Sequence, residues 1–464
     1  MAEHYGRYAA MLRANRLYDF DDLIFQAVRL LETEPMLLQR YQERYRWLAV
    51  DEYQDINYAQ YRLLRLLTPP GTNLCAIGDP DQAIYGFRGA KREYFLRFQA
   101  DFPDAQILHL EQNYRSTQTI LNAAVQVIEE SSDRATALQV WSDFVDQTKL
   151  SIYQAPTDKA EAEYVVHQIE QLVGGTSYFS LDSGRTSGTE DEVRSFGDFA
   201  VLYRTGAQSR LLMEAFDRSG IPYQTVGQRA LVEYKEIRQI LAYLWLVINP
   251  TATFYQEQIY ANTRRKDLTR IGYFLSRLQQ EAMTSDVGTL IGTVAEFLTV
   301  DLTGNFSDAQ LARVARLQRR ATPFGKELSA FLDAMLLQQE TDEYDPRADR
   351  VTLMTLHAAK GLEFPVVFIV GCEETLLPYE LAGRVRELDD IEEERRLFYV
   401  GMTRAQQRLI LLHAKRRLIY GQRVQNAPSR FLNDIAETLK ELKAMASRKV
   451  GKERVEDFQL SLFG

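Results

Sequence analysis

Two adjacent carboxylates close one apolar run of this 464-residue chain, in Leu48-Ala49-Val50-Asp51-Glu52-Tyr53-Gln54-Asp55. A strand ending this way can offer one carboxylate to Mg²⁺, which keeps most of its waters, and the other to a water beside a nucleotide phosphate. Taken alone, an Asp-Glu pair is more often a charged turn. A second run, Ile77-Gly78-Asp79-Pro80-Asp81-Gln82-Ala83-Ile84-Tyr85-Gly86-Phe87-Arg88-Gly89-Ala90, sets Gln82 where it could sense a phosphate or a water. The same loop gathers Tyr85, Phe87 and Arg88, two aromatic faces and a guanidinium, a composition that stacks single-stranded bases. Core packing is the plainer reading of such aromatics. Gln112-Asn113-Tyr114-Arg115-Ser116 adds a ring for stacking and a planar fork for phosphate, while Ser116 also suits a helix N-cap. Two longer segments complete the set, Val351 to Phe364 with His357 and Glu363, and Glu392 to Ala405 with Arg404. A lone His357 would read as a satisfied core histidine.

These residues need elements to hold them. Strand-like runs occur at Trp47–Val50, Leu74–Ile77, Ile107–Leu110, Phe199–Tyr203, Val366–Val370 and Leu409–Leu412, alternating with helical patterns. Nearly continuous apolar runs suit parallel strands covered on both faces, and in such α/β sheets ligands gather beyond the strand ends. The stretch Val173 to Asp198 is rich in Gly, Ser and Thr and reads as a surface insertion. From about Lys235 to Gln339 the pattern turns helical, and an Arg313, Arg316, Arg320 face there could touch phosphates or simply be solvated. With 45% hydrophobic and 26% charged residues, the composition excludes a disordered, collagen-like or disulfide-dense chain. The net charge of −9 gives no basic surplus, so any nucleic-acid binding must come from local patches. Cys75 and Cys372 are read as buried free thiols of a reducing cytoplasm, and no apolar run is long enough to span a membrane.

Five ordered segments of this length together resemble the UvrD/Rep/PcrA-type superfamily-one DNA helicases, over nearly the whole chain from Leu17-Tyr18-Asp19-Phe20-Asp21-Asp22-Leu23 onward. The resemblance implies RecA-like α/β motor domains with parallel sheets and a helical insertion. It implies a first, incomplete motor domain at 1–145, with a remnant of its helical subdomain at 1–40. A second motor domain follows at 146–250 and 346–440, then a reduced helical subdomain at 251–345 and a tail at 441–464. It further implies ATP and Mg²⁺, and as partners single-stranded and duplex-junction DNA. Asp51 would bind Mg²⁺ and Glu52 would activate water. Gln82 would couple the γ-phosphate to the loop where Tyr85, Phe87 and Arg88 meet DNA. Tyr114 would cover the adenine, Arg115 would reach the γ-phosphate, His357 would contact DNA and Glu363 the ribose. Arg404 would be the arginine finger. Phe87 stands where the family commonly has Trp, and Gly401 where it usually has Ala; the Tyr203 to Arg210 segment resembles a structural stretch of the family.

One part of the family pattern is missing. The chain contains no G-x-x-x-x-G-K-[ST] loop; Gly325-Lys326 is followed by Glu327. Without backbone amides and a lysine to cradle the phosphates, these residues alone are expected not to hydrolyse ATP. The chain then reads as the C-terminal part of a 3′-to-5′ helicase of repair or replication, its P-loop-bearing segment missing or separately encoded. The alternative is a non-catalytic DNA- or sliding-clamp-binding adaptor. Retention of Glu52, Gln82, Arg115 and Arg404 favours the first, because an adaptor has no use for a γ-phosphate-sensing set. At the C-terminus, Gln459-Leu460-Ser461-Leu462-Phe463 resembles the bacterial sliding-clamp-binding peptide, with Leu460, Leu462 and Phe463 as anchors and Gln459 as a hydrogen-bonding neighbour.

Overall fold

The apolar runs of the second half do assemble into one parallel sheet. The computed structural model describes residues 2–14, 17–131, 140–144, 146, 148–174, 194–227, 230–260, 268–303, 305–337, 344–380, 388–419 and 421–444. The chain opens with α1 (Ala2–Ala14), α2 (Phe20–Thr33), α3 (Pro35–Arg44), β1 (Trp47–Val50), α4 (Tyr58–Leu67) and β2 (Asn73–Ala76). Short helices α5 (Glu93–Leu96) and α6 (Phe98–Asp101) precede α7 (Gln118–Glu129), β3 (Leu150–Ala155), α8 (Asp158–Leu172), β4 (Phe199–Tyr203), α9 (Ser209–Ser219) and β5 (Tyr223–Val226). A run of helices follows: α10 (Lys235–Ile248), α11 (Thr253–Tyr260), α12 (Leu268–Glu281), α13 (Val287–Glu296), α14 (Asp308–Ala321) and α15 (Leu328–Leu336). Last come β6 (Val351–Thr355), β7 (Phe364–Ile369), α16 (Leu388–Met402), β8 (Ala405–Ala414), β9 (Arg417–Ile419), β10 (Gln422–Val424) and β11 (Lys440–Ala444).

Among the described residues the large sheet has the order β11-β3-β8-β7-β4-β6-β5, and each neighbouring pair is parallel. Alternation along the strands divides their side chains between two cores, as the strand period of two requires. On one face Ile152, Leu202, Met354, Ile369 and Leu411 pack with Ile120, Ala124 and Val127 of α7 and with Leu397, Phe398 and Val400 of α16. On the other, Tyr153, Val201, Leu353, Phe368 and Leu412 pack with Val165 and Ile169 of α8 and with Leu212 and Phe216 of α9. Each such side chain, taken fully out of water, stabilises the layer by roughly 1.5–3 kcal/mol. Thus α7, which precedes the boundary drawn at 145, lies in the core beneath the seven-stranded sheet. Helices α10 to α15 form their own core around Ile240, Leu244, Leu290, Leu317 and Phe331. Within it Arg313 is tied to Glu236 at 2.5 Å and lies over the Tyr234 ring at 4.3 Å, so its guanidinium serves the fold and is not a free phosphate contact.

The first layer is thinner. β1 and β2 pair in parallel as a two-stranded sheet over a small core of Tyr53, Ile56, Tyr61 and Tyr94. The run Ile107–Leu110, expected as a strand, is not one: Leu108 is 84% and Leu110 89% exposed, and among the described residues no strand pairs with it. Cys372 is buried as expected, but Cys75 is exposed on β2. No helix among the described residues is long and apolar enough to cross a membrane.

Candidate functional site

β1 delivers Asp51 and Glu52 at its C-terminal end, where the backbone turns sharply. Glu52 has φ 50°, in the left-handed region that costs a non-glycine residue about 1–3 kcal/mol. Neighbouring backbone bonds hold it there, Tyr53 N–H to the Ile77 carbonyl and Asp55 N–H to the Glu52 carbonyl, both at 2.9 Å. Asp51 is exposed, and its Oδ1 accepts the Glu52 N–H at 2.9 Å. The buried Gln54 donates to Glu52 Oε2 and accepts the Asp79 N–H at 3.1 Å, so it ties the ends of β1 and β2 together. Gln82 in turn donates to Asp79 Oδ2 at 2.8 Å.

From the other layer comes Lys360, in the turn that joins β6 to β7. Its side chain is 7% exposed, and its ammonium lies 3.1 Å from Glu52 Oε2, donates to Asp55 Oδ2, and donates to the Gln82 carbonyl at 2.9 Å. Burial raises the Asp55 carboxyl above its ordinary value, and Lys360 pulls it back down. Sequence reasoning passed over Lys360. The available signal was a lone lysine three residues after His357, but its carboxylate partners lie some three hundred positions upstream.

The remaining phosphate-type residues meet along the same seam. Arg115 Nε donates to Glu363 Oε2 at 2.6 Å and its Nη1 to the Thr403 carbonyl at 3.4 Å. Gln406 donates to the other Glu363 oxygen at 3.0 Å. The Arg115 guanidinium holds the Glu363 carboxyl below its ordinary value. Ser116, expected as an N-cap, instead donates its hydroxyl to the Ala405 carbonyl at 2.6 Å, and Thr117 takes the N-cap position of α7. Arg404 is 2% exposed and faces inward, donating to the carbonyls of Val400 at 2.9 Å and Leu362 at 3.2 Å and to Thr403 Oγ1 at 3.1 Å. Burial first, and then the like charge of Arg115, bring its guanidinium down to about 10, while Tyr399, Glu52 and Glu363 act in the opposite sense. Tyr114 is 75% exposed, its hydroxyl bonded to Gln112 Oε1 at 2.7 Å, which leaves its ring free to stack. Gly401 lies where α16 meets the residues that follow β6. A Cβ there would meet Leu356 Cδ2 at 2.4 Å, so glycine permits the close approach of α16 to the β6–β7 turn.

A second cluster gathers the expected DNA residues. Tyr85, Phe87 and His357 form an aromatic group with ring centroids 5.4 to 6.5 Å apart. Arg88 lies over Tyr85 at 5.1 Å and over Phe87 at 5.4 Å. Phe87 is 66% exposed, so its face is open to a base. Burial, reinforced by Arg204 and Arg88, lowers the His357 imidazole to about 3, so it is neutral at physiological pH. Arg204 is itself bidentate to Glu394 of α16, at 2.6 and 3.0 Å, which gives the Tyr203 to Arg210 segment its structural role.

Among the described residues no group of three or more His, Cys, Asp or Glu could hold a metal ion. A divalent cation bound at Asp51 would therefore take most of its ligands from water and phosphate, as Mg²⁺ does beside nucleotides. Gln459, Leu460, Leu462 and Phe463 lie outside the described residues.

The UvrD/REP helicase N-terminal domain family matches residues 1–103, and the UvrD-like helicase C-terminal domain family matches 108–271 and 256–416. The chain is 36% identical to the ATP-dependent DNA helicase PcrA of Leuconostoc citreum, across 95% of this chain and 64% of that protein. It is 34% identical to the ATP-dependent DNA helicase PcrA of Staphylococcus aureus strain Mu50, across 99% and 67% respectively. The protein of the same description from Staphylococcus epidermidis is 34% identical, across 95% and 64%. The chain thus spans about two thirds of the length of the curated relatives it matches. With two family domains in sequence and relatives above 30% identity, the chain belongs to the UvrD-like helicase family.

Proposed function

We propose that this chain works as part of an ATP-dependent 3′-to-5′ DNA helicase or translocase of DNA repair or replication, acting on single-stranded and duplex-junction DNA. The observation that supports it best is the seam itself. The Lys360–Glu52 and Arg115–Glu363 ion pairs bring together residues that the sequence spreads over several hundred positions, on the edge between two sheets.

In this reading Asp51 holds Mg²⁺, Tyr114 covers the adenine and Glu363 bonds the ribose. Mg²⁺-ATP supplies the phosphoryl group whose transfer to water releases the energy for movement. Glu52 orients that water and takes its proton; its carboxylate is paired with the Lys360 ammonium at 3.1 Å. Arg115 exchanges Glu363 for a phosphate oxygen when nucleotide enters. Arg404, now bonded to the Val400 and Leu362 carbonyls, swings out as the two layers close. Gln82 carries the change to the neighbouring loop, where Tyr85 and Phe87 stack on bases beside the neutral His357, and Arg88 adds positive charge.

The same reading holds that these 464 residues do not turn over ATP alone, because nothing in them supplies the amide cradle and lysine of a P-loop. Anisotropy titration of a fluorescent single-stranded oligonucleotide, run beside an ATPase assay, tests both statements. Salt-dependent DNA binding weakened by Phe87→Ala, with no turnover, is expected. No DNA binding at any salt would overturn the helicase reading, and DNA-stimulated turnover lost in Glu52→Gln would overturn the inactivity. At the tail, Gln459, Leu460, Leu462 and Phe463 fit a clamp-binding peptide; purified sliding clamp should stop binding when residues 459–464 are deleted, and unchanged binding would dismiss the idea.

A further inference from the structure

The aromatic loop belongs by sequence to the first layer, yet its backbone is held from the second. Three polar side chains grip it within five residues. Lys360 donates to the Gln82 carbonyl at 2.9 Å, Arg396 Nε donates to the Ala83 carbonyl at 2.9 Å, and Glu393 Oε1 accepts the Gly86 N–H at 2.9 Å. The last contact is close on both sides: a Cβ at Gly86 would lie 2.4 Å from Glu393 Oε2, so a larger residue there would have to displace this carboxylate. Gly86 sits directly between Tyr85, half-buried against the core, and Phe87, exposed, the two rings that flank His357. Glu393 and Arg396 lie on α16, whose C-terminal end runs into Thr403 and Arg404 at the nucleotide seam.

From this placement we infer that Glu393 is a positioning residue for DNA. Its carboxylate fixes the Gly86 amide, and with it the angle at which Tyr85 and Phe87 present their faces to bases. α16 thereby acts as a rod whose Arg404 end senses the nucleotide and whose Glu393 end sets the stacking loop. A charge-assisted bond from a carboxylate to a backbone N–H is short and directional, which suits it to holding one loop pose among several. The inference rests on the reading of Phe87 and Tyr85 as a stacking platform and adds the residue that controls it.

The test separates stacking from overall binding. A single-stranded oligonucleotide carrying 2-aminopurine reports stacking through its fluorescence change, and anisotropy of an end-labelled copy reports affinity. The full chain is compared with Glu393→Ala, Glu393→Gln and Phe87→Ala, with a thermal melt for each. The expected result is a 2-aminopurine response cut at least three-fold in Glu393→Ala, with affinity for the end-labelled strand changed less than three-fold. Glu393→Gln should restore most of the response, because a carboxamide oxygen still accepts the Gly86 N–H. A wild-type response lost in Phe87→Ala but kept in Glu393→Ala would overturn the inference while leaving the stacking platform intact. Equal loss in Glu393→Gln and Glu393→Ala would also overturn it, since an acceptor would then not be what matters. A wild-type chain with no 2-aminopurine response would overturn the platform and the inference together.

Discussion

Removing the ammonium that joins the two layers should be costly, and the structure says where the cost falls. In Lys360→Ala the Asp55 carboxylate, whose side chain is 12% exposed, loses the one cation paired with it among the described residues, and its Oδ1 already has no hydrogen-bond partner there. Breaking a buried pair from one side costs about 3–5 kcal/mol, because the surviving charge remains out of water. The second arm of the pair adds little, since the Glu52 side chain is 51% exposed. A loss of about 3 kcal/mol corresponds to a melting shift of roughly 6–12 °C at 2–4 °C per kcal/mol. The pH dependence has a definite sign. Burial raises the folded Asp55 carboxyl above its unfolded value, so the stability it contributes is present at acid pH and is lost as pH rises through the folded value. Lys360 opposes that loss, and the deficit of Lys360→Ala should therefore be largest near pH 7.5 and shrink as pH falls to about 4.5. Thermal melts of wild type, Lys360→Ala, Asp55→Asn and the double variant at both pH values make the measurement. In the Asp55→Asn background the lysine substitution should cost less than half as much, because no buried carboxylate is left unpaired. A shift under 1 °C, or one equally large in the Asp55→Asn background, would refute this account of the junction.

Other outcomes follow from the same geometry. Phe87→Ala should weaken binding of single-stranded DNA by about 1–3 kcal/mol, roughly 5- to 150-fold, while Phe87→Trp should strengthen it; anisotropy titration reads both. Because the His357 imidazole is depressed to about 3, it stays neutral in the fold down to pH 4. The ratio of DNA affinities between wild type and His357→Asn should then be flat from about pH 5.5 to 8, and the folded state should lose stability to this group only as pH falls below about 6.5, where the unfolded chain takes up the proton. Arg417 is enclosed between Glu161 and Glu373, at 2.6 and 2.7 Å, and all three side chains are 7% exposed or less. Arg417→Met should cost about 3–5 kcal/mol in urea unfolding, and replacing all three by apolar residues of similar volume should recover most of it.

The parts of this molecule legible in the sequence are those whose signal is local. The strands at Phe199–Tyr203, Val366–Val370 and Leu409–Leu412 announced themselves because a parallel strand covered on both faces must be apolar throughout, and all three lie in or overlap β4, β7 and β8. Lys440–Ala444 is charged at Lys440, Glu441 and Lys443 and pairs only at the sheet edge, so nothing in its composition marks it as β11. Ile107–Leu110 has the composition of a strand, but a strand needs a neighbour for its amides, and composition does not show one. The site divides in the same way. Residue types that do chemistry stood out at Asp51, Glu52, Arg115 and Arg404, whereas the residues that orient them did not. Lys360, Glu393 and Arg204 matter through partners that are distant along the chain, and an ion pair between remote residues leaves no periodicity and no motif of its own.

The central claim is that Glu52 and Arg404 serve one nucleotide cleft formed between the two layers. The most direct measurement is DNA-stimulated ATP turnover by this chain supplemented with a P-loop-bearing first-domain segment, compared among wild type, Glu52→Gln and Arg404→Ala. The account predicts turnover that requires both the segment and single-stranded DNA, falls at least a hundredfold in either variant, and leaves DNA affinity within a few-fold of wild type. Turnover that persists in Glu52→Gln or Arg404→Ala would contradict it.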